Sequence, residues 1–145
     1  MSQTCTGQII TSYGRRYIVE TPEGVRYDCT TRGKKTDYAC GDHVDLLVQN
    51  AEQAVIERAQ PRQSLLYRSD AFRSKLIAAN VTQLAIVLAP VPTFSEELLN
   101  RCLVAAEAGG IAPLIVLNKC DLPQAEAARA RLAAWQALGY PLLPL

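Results

Sequence analysis

A chain of 145 residues that is 49% hydrophobic can form one medium domain or two small ones with buried cores, and a net charge of +1 gives no global pull toward polyanions. No apolar run approaches the roughly 18 residues that a membrane span needs, and the opening MetSerGlnThrCysThrGly has neither a charged n-region nor an apolar h-region, so a cytoplasmic protein is expected. Five cysteines, at positions 5, 29, 40, 102 and 120 with no C-x-x-C, argue against a disulfide framework and for reduced thiols.

Residues 1–62 carry short alternating stretches, Thr6 to Ser12, Arg16 to Glu20, Val25 to Thr31, Val44 to Gln49 and Ala54 to Arg58. Turn signals at TyrGly, ThrProGluGly, ArgGlyLysLys and CysGlyAsp separate them. Five short strands in about 60 residues predict a small barrel of the OB type. Arg32, Lys34 and Lys35 share one loop with Gly33 and could neutralise phosphates of RNA. The span 58–75 adds Arg58, Arg62, Arg68, Arg73 and Lys75 against Asp70 alone; the loop at 32–35 is equally compatible with plain solvated surface, and the later span makes the weaker case of the two. Tyr13, Tyr17 and Tyr27 are placed either to stack on bases or to pack within the barrel. Cys29, Cys40 and His43 fit no tetrahedral ligand spacing and read as strand and turn residues.

Residues 63–80 read as a junction, and from residue 81 the rhythm changes to strand and helix. Thr82 to Ala89 predicts a buried strand. Phe94 to Ala108 predicts a helix with Leu98, Cys102, Ala105 and Ala106 inward, stopped by Gly109 and Gly110. A strand over Ile111 to Leu117 follows, then a helix over Pro123 to Leu138 with Ala128, Leu132 and Trp135 inward, and a third strand entered at ProLeuLeuProLeu. Alternating strand and helix implies a parallel sheet.

The most specific motif sits where the strand ending at Leu117 delivers Asn118, Lys119, Cys120 and Asp121. Ligands of open α/β sheets sit at the carboxyl ends of strands. A carboxylate at Asp121 can accept from both N1–H and the exocyclic amine of guanine; adenine offers neither donor and would leave it desolvated and unpaired. Asn118 can meet the other edge of the base, and Lys119 can lay its stem along the purine face. The same residues would also serve as an ordinary turn and solvated loop.

A phosphate-cradling G-x-x-x-x-G-K-[ST] is missing from the sequence. The nearest candidate, Gly33-Lys34-Lys35, has Asp28 at the first glycine and Lys35 at the hydroxyl position. No Asp-x-x-Gly occurs either, although both elements ordinarily precede the guanine loop of a GTPase. Either the motif is accidental or the GTPase elements are permuted.

The permuted alternative matches a known family. ThrThrArgGlyLysLys with CysGlyAspHisVal, IleGluArgAlaGlnProArgGlnSerLeuLeuTyrArg, AlaAlaAsnValThrGlnLeu, AsnArgCysLeuValAlaAlaGlu and LeuIleValLeuAsnLysCysAspLeu together resemble the circularly permuted, ribosome-small-subunit-dependent GTPases called RsgA, YjeQ or EngC, over essentially the whole chain. The resemblance implies an OB domain over 1–62 that binds 16S rRNA of the 30S subunit, a linker at 63–80, and the first part of a circularly permuted GTPase domain over 81–145. It implies GTP and GDP as ligands with Mg2+, a zinc domain not contained here, and GTP turnover coupled to late maturation of the small subunit. On matching positions Asn118, Lys119, Cys120 and Asp121 form the guanine-binding loop. No catalytic residue and no metal ligand falls on this chain, which looks like an N-terminal fragment. The competing expectation is a non-enzymatic OB-type RNA-binding module with an α/β interaction segment.

Overall fold

A computed structural model describes residues 3–34 and 37–145. The chain divides into two compact units, Met1–Val81 and Thr82–Leu145.

The first unit is built on a closed five-stranded barrel. Its strands are β1 (Gln3–Tyr13), β2 (Arg16–Glu20), β3 (Arg26–Thr31), β4 (His43–Val48) and β5 (Gln53–Ala59), closed in the order β1-β2-β3-β5-β4. Strand β1 is long enough to close it, pairing through residues 3–8 with β4 and through 8–13 with β2. An irregularity between Ile9 and Thr11 lets it bend from one neighbour to the other. Period-two alternation puts Tyr17 and Val19, Val44 and Leu46, and Ala54 and Ile56 inside, with Ile9, Cys29 and Tyr38. Tyr17 stacks edge-to-face on Tyr38, with ring centroids 5.8 Å apart. Of the two roles open to Tyr17, packing is therefore the one observed; burial at 1% exposure removes it from any base-stacking surface.

Residues 63–80, read as a junction, carry secondary structure of their own. They form an antiparallel hairpin, β6 (Leu65–Ser69) and β7 (Ser74–Ala79), turned by Asp70, whose carboxylate accepts from the backbone N–H groups of Phe72 and Arg73 at 2.9 and 2.8 Å. The base of the hairpin is fastened to the barrel: Ala79 N–H donates to Cys40 O at 2.8 Å and Asn80 Nδ2 to Gly41 O at 2.9 Å. Gly41 is required there, since at φ 93° a Cβ would stand 2.0 Å from Ala79 O. The alternation that marks a strand is blurred in the sequence because β6 and β7 carry exposed residues on most positions.

The second unit contains β8 (Gln83–Leu88), α1 (Glu96–Ala108), β9 (Ala112–Leu117), α2 (Ala125–Ala137) and β10 (Leu142–Pro144), with a parallel sheet in the order β10-β9-β8. Its core joins Ile86, Ile115 and Leu117 of the sheet to Phe94, Leu99, Leu103, Ala128 and Leu132. The inward face of α1 is Leu99, Leu103 and Ala106; of the expected Leu98, Cys102, Ala105 and Ala106, Ala106 is fully buried and Cys102 packs partly against the core, but Leu98 is 60% exposed and Leu99 takes its place. Two adjacent i, i+4, i+7 series were available, and the one with two leucines buries more apolar surface than the one with Cys102 and Ala105. Ser95 caps α1 by accepting from Leu98 N–H at 3.2 Å, with Glu96 and Glu97 in the first turn. Among the described residues no helix is long and apolar enough to cross a membrane.

Candidate functional site

The carboxyl end of β9 is held from both sides. Asn118 N–H donates to Leu88 O at 2.9 Å on the β8 side, while Leu145 N–H donates to Leu117 O and Cys120 N–H to Leu145 O, each at 2.8 Å, on the β10 side. The loop therefore projects from a fixed sheet edge. Asn118 is exposed; its Oδ1 accepts from Lys119 N–H at 2.8 Å, and its Nδ2 has no hydrogen-bond partner among the described residues. Lys119 sits at φ 61°, a left-handed conformation that costs a non-glycine residue about 1–3 kcal/mol and persists only where surrounding contacts fix it. Those contacts are the Asn118 bond, Leu122 N–H to Lys119 O at 3.2 Å, and Lys119 Nζ to Val91 O at 3.0 Å.

Asp121 is exposed, and its carboxylate has no hydrogen-bond or ion-pair partner among the described residues. Cys120 turns the other way: its thiol donates back to Leu117 O at 3.2 Å and packs against the core of the unit. Asn118, Lys119 and Asp121 are thus exposed along this loop, while Cys120 is partly buried against the core. An exposed amide and an unpaired carboxylate three residues apart can address a planar heterocycle with an acceptor on one edge and two adjacent donors on the next.

On the first unit, Arg32 forms an ion pair with Glu57 at 3.2 Å, and Lys34 is exposed; Lys35 lies outside the described residues. Arg58 and Arg62 are spoken for within the protein. Arg58 pairs with Asp45, which holds that carboxyl below the usual carboxylate range, and Arg62 forks onto the fully buried Asp42 through Nε and an Nη, both at 2.7 Å. Arg62, held on a buried carboxylate, is committed to the barrel, whereas Arg58, like Arg32, keeps an exposed side chain in an exposed ion pair. Arg68 and Lys75 remain, cross-strand partners on β6 and β7, with Arg73 at the turn, all exposed. Beside them Phe72 is 94% exposed and Tyr67 is 52% exposed. Tyr13, 53% exposed, flanks the β1–β2 turn with Arg15, whereas Tyr27 packs partly against the barrel core.

Among the described residues no three His, Cys, Asp or Glu side chains converge to hold a metal.

A family model described as RsgA GTPase matches residues 59–145. The chain belongs to the RsgA GTPase family. It is 59% identical over 138 residues to the small ribosomal subunit biogenesis GTPase RsgA of Neisseria meningitidis, covering 95% of this chain and 45% of that protein. The RsgA of Nitrosomonas europaea is 51% identical over 144 residues, covering 97% and 46%. Among solved structures, YjeQ from Thermotoga maritima superposes with a TM-score of 0.72 at 25% identity, over 98% of this chain and 51% of that one. YloQ, described as a circularly permuted GTPase, gives 0.69 at 25% identity with the same coverage. The chain thus spans about half the length of the curated relatives it matches, and its barrel followed by an α/β segment has the fold of the corresponding half of the circularly permuted GTPase structures.

Proposed function

We propose that this chain supplies the RNA-contacting barrel and the guanine-reading loop of a cytoplasmic GTPase acting in small ribosomal subunit biogenesis. The observation that carries the reading is the exposed, unpaired Asp121 carboxylate beside Asn118, on a loop tied into the sheet from both sides. Asp121 accepts from N1–H and the C2 amine of guanine, Asn118 Nδ2 donates to the base's opposite edge, and the Lys119 stem covers one purine face. Cys120 contributes its backbone and an inward anchor. Binding energy at this rim selects the base; it does not move a phosphoryl group, because that step depends on a phosphate cradle and magnesium that residues 1–145 do not encode. GTP and GDP are the ligands of the reading.

Contact with 16S rRNA of the 30S subunit is assigned to Arg32, Lys34 and Lys35 on the β3–β4 loop, with Arg68, Arg73 and Lys75 on the hairpin. Phosphate neutralisation by these cations gives affinity that falls with salt, and exposed Phe72 and Tyr13 add faces on which unpaired bases stack. The hairpin is the observation that keeps a purely RNA-binding, non-enzymatic role as the second reading, since it needs no nucleotide. The two separate in a binding assay on a full-length RsgA protein carrying this sequence, with fluorescent guanine and adenine diphosphates as probes. Clear guanine preference is expected; equal binding of both, with RNA binding intact, would leave the RNA-binding module.

A further inference from the structure

We propose that Arg131, on α2, is a positioning residue for guanine-nucleotide binding: it fixes the β8–α1 loop so that the Val91 carbonyl can hold the Lys119 ammonium and, with it, the left-handed turn of the guanine loop. The proposal rests on the reading of residues 118–121 as guanine-binding.

Arg131 directs its whole guanidinium at one short segment. Nε donates to Glu96 Oε1 at 3.1 Å, one Nη to Thr93 Oγ1 at 2.9 Å and the other to Phe94 O at 3.4 Å, while the guanidinium carbon lies 4.1 Å from the centroid of the Phe94 ring. A half-exposed arginine in a lone ion pair contributes little, but a planar fork that saturates three acceptors and stacks on a buried ring defines one loop geometry. Two residues upstream, the same loop presents Val91 O to Lys119 Nζ at 3.0 Å. Pro92 lies between, and its ring fixes φ, so the link from Thr93 to Val91 has little slack. Lys119 has the most to lose from a displaced acceptor, since its backbone sits at φ 61° and is retained only by its contacts. Arg131 need not touch the nucleotide: it acts on a carbonyl that acts on the loop.

The test uses a full-length RsgA protein carrying this sequence, with mant-GDP as probe. Arg131→Ala is expected to raise Kd roughly three- to thirtyfold, the range by which residues acting through a neighbour modulate binding. Arg131→Lys, which keeps the charge over Phe94 but not the fork, should fall between. A merely structural loss would add to any other defect, so the deciding readout is the double variant. If Arg131 acts through Lys119, Arg131→Ala combined with Lys119→Ala binds no more weakly than Lys119→Ala alone. Arg101→Ala, which breaks only an exposed pair with Glu97 on α1, should leave Kd unchanged. Should Arg131→Ala fail to fold, Arg131→Lys and Thr93→Val carry the same comparison. An unchanged Kd in these variants, or full additivity with Lys119→Ala, overturns the proposal. A wild-type protein that does not prefer mant-GDP to mant-ADP overturns the guanine-loop reading, and this proposal with it.

Discussion

Replacing Arg62 by methionine strands a carboxylate in the barrel wall. Asp42 is fully buried, and it accepts from Arg62 Nε and Nη at 2.7 Å each and from Ala39 N–H at 2.8 Å; the same Nη also donates to Asp37 O at 2.6 Å. The substitution keeps most of the aliphatic volume and removes every one of the guanidinium contacts, leaving a single backbone donor for a buried charge. Breaking a buried pair from one side costs about 3–5 kcal/mol, chiefly because the remaining charge is uncompensated. A unit of some 80 residues has only about 4–12 kcal/mol to lose. The assay is urea unfolding of the 145-residue chain followed by near-ultraviolet circular dichroism of the Tyr17–Tyr38 pair, with fluorescence of Trp135, the chain's one tryptophan, reporting the other unit. The barrel transition should fall sharply while the Trp135 transition stays in place. Adding Asp42→Asn should restore much of the loss, since the neutral amide no longer carries an uncompensated charge. A barrel within about 1 kcal/mol of wild type would refute the argument that this pair fastens residue 62 to the β3–β4 loop.

Three further outcomes are expected. Arg32, Lys34 and Lys35 changed together to Ala in a full-length RsgA protein should weaken small-subunit binding and flatten its dependence on salt, because fewer counterions are released; filter binding at several salt concentrations checks it, with unchanged circular dichroism as control. Burial, helped by the charge of Asp28 and by Cys5, pushes the Cys29 thiol up to about 12. It should resist alkylation near pH 8 in the folded chain, and stability should decline between about pH 9 and 12, where the unfolded thiol has released its proton and the folded one has not; mass spectrometry and pH-dependent unfolding read the two effects. The 145-residue chain alone should show no GTP turnover above buffer and no micromolar affinity for GTP, by phosphate release and calorimetry, since it encodes no phosphate cradle.

Much of this architecture was legible because alternation and turn chemistry are local. Val19, Val44 and Ile56 announce their strands, and the guanine loop is contiguous in sequence, so strand, loop and helix can be read in one pass. The phase of α1 was not legible, because Leu98 and Leu99 are adjacent and only the sheet decides which turns inward. The hairpin at 65–79 was obscured by its exposed positions, and the Gly41 carbonyl to which Asn80 anchors it lies 39 residues earlier. Arg58 and Arg62 read as free cations because their partners, Asp45 and Asp42, are distant in sequence. The same holds for Arg131, whose acceptors lie 35 to 38 residues earlier, and for the Val91 carbonyl that Lys119 uses, since a backbone acceptor leaves no mark in a sequence.

The central claim is that Asp121 reads guanine, and the most direct measurement is base preference in the Asp121→Asn variant of a full-length RsgA protein carrying this sequence. The substitution exchanges an acceptor for a donor opposite purine C2, which opposes guanine's amine and suits the carbonyl of xanthine. Competition binding should move the preference from GDP toward XDP by more than about tenfold, the loss that follows when a paired carboxylate contact is replaced by two facing donors. Guanine selectivity equal to wild type in a folded Asp121→Asn protein would contradict the account.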